Sequence, residues 1–149
     1  MSRTYRKEEK EIQKSISNYL WALKIIHTIT DASAIPMGDG TYRASEKVDP
    51  AWPDLTGFIP RSVSPLLVGR GLLVEVKTKT GKLRPARLVK RGFRRVLIPS
   101  QADVLRDLRK AGVVAIVARS IDDVKDALRI AEQCVRDDID FVVGLPELK

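Results

Sequence analysis

Gly71-Leu72-Leu73-Val74-Glu75-Val76-Lys77 is the stretch from which the rest of this chain is best read. Leu72 to Val76 is an apolar run with the length of a buried strand, so Glu75 and Lys77 emerge at its end. Side chains alternate along a strand, which puts Glu75 and Lys77 on one face and turns Val76 into the core. Upstream, Asp54 follows Pro53 and heads a second apolar segment, Asp54 to Ile59. Between the two lies a turn-rich segment with Pro60, Pro65 and Gly69, and the midpoint from Asp54 to Glu75 falls between Ser64 and Pro65. A symmetric antiparallel hairpin therefore places Asp54 opposite Glu75 or its neighbour.

Two carboxylates held side by side repel each other unless a cation sits between them. Oxygen ligands without His or Cys suit Mg²⁺ or Mn²⁺, which can activate a water and neutralise charge on a phosphate. Lys77 beside such an ion would steady the attacking water or the phosphate oxygens. A Glu and a Lys two apart are otherwise an ordinary exposed charge pair; the apolar flanks set this pair apart. Thr80-Gly81-Lys82-Leu83 is not a phosphate loop, because Val76 stands where the earlier glycine belongs and no Ser or Thr follows Lys82.

Composition narrows the chemistry further. Cys134 and His27 are the only residues of their kinds, so an intrachain disulfide and a Cys/His zinc site are both excluded. His27 lies in the apolar stretch from Ile25 to Ile29 and reads as a structural residue. The net charge is +8, and it is concentrated. Lys79, Lys82, Arg84, Arg87, Lys90, Arg91, Arg94 and Arg95 crowd into one stretch without a single acid, which favours a polyanionic partner. With 149 residues, 44% hydrophobic and 31% charged, the chain fits one soluble domain, residues 1–149. No apolar run approaches a membrane span and no apolar signal core follows the charged start, so the expected location is the cytoplasm, or a host cell's cytoplasm if the source is a phage.

The remaining elements follow from periodicity. Lys7 to Ile25 reads as an amphipathic helix with Ile12, Ile16, Tyr19, Leu20 and Leu23 in one stripe. Glu9 lies within roughly 40° of the stripe's centre, nearer than Glu8 or Glu11, and Trp21 lies opposite. Ile25 to Thr30 is a predicted strand, and Asp31 to Pro50 a loop whose Tyr42, Arg43 and Lys47 suit phosphate contacts. The basic stretch reads as an extended hairpin or ordered loop. Ser100 with Asp103 caps a helix that carries Gln101 and turns Leu105, Leu108 and Ala111 inward, closed by Gly112. A buried strand, Val113 to Ala118, precedes a last helix capped by Ser120 with Val124, Ala127, Leu128 and Ala131 on its core side. Phe141-Val142-Val143 reads as an edge strand or subunit contact. The order αβββαβα implies an α/β domain around a mixed sheet.

Taken together, Pro53-Asp54-Leu55, Leu73-Val74-Glu75-Val76-Lys77-Thr78, Gly81-Lys82-Leu83, the N-terminal helix with Glu9, and Ser100-Gln101 resemble the PD-(D/E)xK nucleases. Within that superfamily the pattern resembles the VRR-NUC branch and the archaeal-type Holliday junction resolvases. The resemblance implies a restriction-endonuclease-like core, a central mixed β-sheet flanked by helices. It implies Asp54, Glu75 and the Val76 carbonyl as metal ligands, Glu9 as the helix carboxylate, Lys77 as the catalytic lysine and Gln101 as the trailing glutamine. It further implies a Mg²⁺- or Mn²⁺-dependent homodimer cutting branched DNA such as a four-way junction, with no small-molecule cofactor. The insertion from Arg84 to Pro99 departs from the compact VRR-NUC pattern, in which the glutamine follows the Gly-Lys-Leu segment more closely. Two other readings are a nuclease acting on flaps or other repair and replication intermediates, and a non-catalytic basic nucleic-acid-binding module.

Overall fold

The computed structural model describes residues 3–30, 35–36, 38, 42–43 and 51–149. Helix α1 (Arg3–Ala22) leads to β1 (His27–Ile29), then a short ribbon of β2 (Ile35–Pro36) and β3 (Tyr42–Arg43), then β4 (Leu55–Phe58) and β5 (Gly71–Val76). A hairpin of β6 (Arg87–Arg91) and β7 (Arg94–Ile98) follows, then α2 (Gln101–Lys110), β8 (Val114–Ala118), α3 (Ile121–Arg136) and a short α4 (Phe141–Gly144). The central sheet has the order β1-β4-β5-β8, antiparallel except for the parallel pair β5–β8. The protein is thus mixed α/β with a mixed sheet, as the periodicities predict. Among the described residues no helix is long and apolar enough to cross a membrane.

Alternation decides which layer covers which face. Leu72, Val74 and Val76 of β5 and Val114, Ile116 and Ala118 of β8 join Ile16 and Leu20 of α1 and Val124, Ala127 and Ala131 of α3 in the main core. Leu73 and Ala115 point the other way and are also buried, on the side where α2 contributes Leu105. β5 therefore has both faces covered, and so Glu75, Lys77 and Thr78 are buried where the strand ends.

Most boundaries lie within a few residues of expectation, and the departures have physical causes. α1 ends at Ala22 rather than Ile25 because Lys24 adopts a left-handed φ of 59° and the Ile25 N–H returns to the Leu20 carbonyl at 2.9 Å. Ile25 is then released into the core. The 31–50 segment, expected to lack structure, contains the β2–β3 ribbon; Lys47 lies outside the described residues. Ala111 is exposed, and Arg109 is buried in its place, donating to the carbonyls of Ala115 and Pro146 at 2.8 and 2.9 Å. Phe141 to Val143 is helical rather than an edge strand. Asp140 caps it by accepting from the Val142 N–H at 2.7 Å, and the Gly144 backbone sits against the Cys134 sulphur with no room for a side chain.

His27 is structural, as expected. Ser17 Oγ lies 2.7 Å from its Nε2 and the Ile25 carbonyl accepts from Nδ1 at 2.8 Å, which occupies both ring nitrogens. The exposed Trp21 leans over the ring at 4.4 Å between centroids. This seat requires a glycine opposite. A Cβ on Gly57 would meet both His27 Cβ and the Ile26 carbonyl oxygen at 2.8 Å, so β1 could not pair with β4 as it does. Gly57→Ala is expected to destabilise the fold by about 1–3 kcal/mol, the usual result of overpacking a tight contact. Urea unfolding followed by tryptophan fluorescence checks this; an unchanged midpoint would contradict the close approach.

Candidate active site

The β4–β5 register pairs Leu55 with Val74, and one step further Asp54 faces Glu75, as the hairpin symmetry predicts. Asp54 sits just before β4 and accepts from the Val76 N–H through Oδ2 at 2.7 Å. Its main chain is held from the other side, where the Asp54 carbonyl accepts from the Thr30 N–H at 2.7 Å. Lys77 continues beyond β5 and donates its main-chain N–H to the Ala118 carbonyl at 3.0 Å, so β8 anchors it. The Lys77 ammonium is 2.8 Å from Glu75 Oε1, and both side chains are almost wholly buried.

Gln101, the first residue of α2, connects this pair to the basic segment. Its Nε2 donates to Glu75 Oε1 at 2.6 Å, while its Oε1 accepts from the Arg84 N–H at 2.8 Å and its own N–H donates to the Arg84 carbonyl at 3.0 Å. One amide side chain thus clasps the Arg84 backbone and orients a buried carboxylate.

Electrostatics give the site its character. Burial, and then the nearby Asp54 charge, push Glu75 up to about 7 from an ordinary 4.5, with Lys77 pulling the other way. Burial also raises Asp54, and the Glu9 charge adds to the rise; the Val76 N–H, Lys77 and Arg84 oppose it. Glu9 is partly buried, whereas Glu8 and Glu11 are exposed, so Glu9 is the helix carboxylate that senses the site. Two carboxylates share one ammonium while a third adds its charge from a distance, and a cation would relieve them.

Among the described residues no group of three or more His, Cys, Asp or Glu side chains converges closely enough to hold a metal ion. Glu9 therefore acts on Asp54 from a distance rather than completing a cage. The donor chemistry still fits a hard ion, since Mg²⁺ commonly keeps most of its waters and takes only one or two carboxylates from a protein. Asp54 and Glu75 supply those two.

Lys79, Lys82, Arg84, Arg87, Lys90, Arg91, Arg94 and Arg95 are all exposed, downstream of the carboxylates. Arg84 is the one whose charge reaches Asp54 and Glu75. The backbone of Arg43 lies in β3. Sequence reasoning missed Arg119, whose Nη2 donates to the Gly81 carbonyl at 2.8 Å, and Tyr5, whose hydroxyl meets Thr80 Oγ1 at 2.5 Å. Both brace the turn after Lys77. Arg119 was findable in principle, because a residue following a strand parallel to β5 must emerge at the same end of the sheet. Thr78 Oγ1 is buried beside that turn without a hydrogen-bond partner among the described residues.

Comparison with protein-family models, with curated proteins and with solved structures gave no match. The site's own physics offers a direct check. A carboxyl whose folded pKa is raised contributes stability below its unfolded pKa and loses it as pH rises through the folded one. In EDTA the melting temperature is expected to fall by several degrees as pH rises from about 5 to 8, and Glu75→Gln should flatten most of that slope. Calorimetry across that range is the measurement; a variant with the wild-type slope would show that Glu75 is not the strained group.

Proposed function

We propose that the chain is a Mg²⁺- or Mn²⁺-dependent structure-selective endodeoxyribonuclease of the PD-(D/E)xK type, with a restriction-endonuclease-like core. A Holliday junction resolvase working as a homodimer on four-way DNA is the specific form we favour. One observation carries the reading: Asp54 and Glu75 meet at the ends of adjacent strands with the buried Lys77 ammonium on Glu75. A module that only binds nucleic acid has no use for two strained carboxylates beneath a basic surface.

Asp54 and Glu75, with the Val76 carbonyl, are the residues that would hold the ion. The chemistry such an ion supplies when bound is acidification of a water and neutralisation of charge on the phosphate. Lys77, already desolvated and fixed by Glu75, offers its remaining protons to a phosphate oxygen or to the attacking water. Glu9 takes a hydrogen bond from a water on the α1 side, and Gln101 keeps Glu75 in orientation. The overall reaction adds water across one phosphodiester: a new P–O bond forms, the bond to the leaving strand breaks, and the leaving oxygen takes a proton. The exposed basic residues bind backbone phosphates beyond the site. Resolution of a four-way junction needs two coordinated cuts, and a two-fold dimer supplies two sites.

Asp54→Ala, Glu75→Ala and Lys77→Ala are expected to abolish Mg²⁺-dependent cleavage of a labelled four-way junction while leaving junction binding in EDTA largely intact. Gln101→Ala, which removes support for Glu75 and the side-chain hold on the Arg84 backbone, should lower the cleavage rate by roughly 10–100-fold. Gel assays at one fixed salt concentration test this, with flap and linear duplex substrates alongside. Undiminished cleavage by the Asp54 and Glu75 variants would overturn the assignment, and preferential cutting of flaps would redirect it to that substrate.

A further inference from the structure

The β6–β7 hairpin stands apart from the body. Its strands pair from Arg87 with Ile98 to Arg91 with Arg94, and among the described residues no other helix or strand packs substantially against either. Five residues at about 3.3 Å each carry the tip roughly 17 Å beyond its root. A two-residue turn closes it, with Gly92 at φ 61° followed by Phe93 outside the left-handed region, the type II′ pattern that suits hairpin twist.

Two features of this arm require explanation. Its charge is one-sided, because Arg87, Lys90, Arg91, Arg94 and Arg95 are joined by no acid anywhere from Val76 to Ala102. Its tip is also apolar in the open, since Phe93 is 108% exposed, the full area of an unshielded ring. Leaving a phenyl ring in water between arginines stabilises nothing in the free protein. A second copy of so basic an arm would repel it, so a polyanion is the complementary partner. A continuous duplex presents only base edges in its grooves, and its ring faces are covered by stacking. Faces become available where the stack is interrupted, at a branch point, a flap junction or an unpaired end.

The geometry points to Phe93 as a stacking residue that engages an unstacked base at a DNA discontinuity, while the arm's arginines hold the flanking phosphates. The inference rests on the DNA partner proposed above and adds how a discontinuity is told from continuous duplex. The arm's root is fixed to the cleavage centre, because Gln101 clasps Arg84 and Glu75 together. Contact at the tip therefore sets where the carboxylates fall along the strand.

The test is equilibrium binding in EDTA, with no hydrolysis, of a four-way junction carrying 2-aminopurine at the branch point and of a linear duplex carrying it at the same sequence. Wild-type protein is expected to change the fluorescence of the junction probe and not of the duplex. Phe93→Ala should abolish that change and weaken junction binding about tenfold, leaving duplex binding unaltered. Phe93→Trp should restore both. A Phe93→Ala protein with the wild-type junction-to-duplex ratio and fluorescence change overturns the inference. So does one whose only defect is an altered oligomeric state in size-exclusion chromatography with light scattering, which assigns the tip to a second copy. If wild type shows the Phe93-dependent signal but never cleaves with Mg²⁺, hydrolysis fails and the stacking role stands. If wild type binds no DNA at low salt, both fail.

Discussion

Holding Asp54 and Glu75 side by side in a largely dry place is the constraint on which the rest of this structure depends. Like charges in low dielectric cannot both stay ionised without compensation. The protein provides some: the Val76 N–H to Asp54, the Lys77 ammonium and the Gln101 amide to Glu75. These do not suffice, and both carboxyls remain pushed toward their protonated forms. Residual strain of this sort costs stability, and it is one ground for the functional proposal made for this pair.

Around that pair the fold supplies rigidity. The antiparallel register fixes Asp54 against Glu75, the parallel β8 strand holds the Lys77 backbone, and Arg119 ties the following turn to the chain beyond β8. Few of these restraints are contacts between neighbours in sequence. Each joins the end of one element to another distant in the chain, so the site forms only when the sheet is complete.

Much of this could be read from the residues because alternation and turn chemistry are local signals. The face shared by Glu75 and Lys77, the hairpin midpoint near Ser64 and the Ser100 and Ser120 caps came from spacing, and the structural role of His27 from its apolar flanks. What escaped depended on tertiary contact. Lys24 turns left-handed because Ile25 has a core position to fill, and Arg109 is buried because the Ala115 and Pro146 carbonyls lie within its reach. Phe141 to Val143 looks like a strand by composition and becomes helical under the Asp140 cap and against Cys134. Helical spacing favoured Glu9 among three glutamates, and the packed helix, which leaves Glu8 and Glu11 exposed, agrees with it.

The β6–β7 hairpin has one more consequence, for how the molecule can change over time. Among the described residues its side chains beyond the root support no core, so substitutions there carry almost none of the folding penalty that constrains β5 or α2. The carboxylate centre and its braces are locked together, whereas the arm behaves as an exchangeable cassette clipped on at Arg84 and Gln101. The hairpin can diverge rapidly on such a scaffold while the carboxylate centre stays fixed.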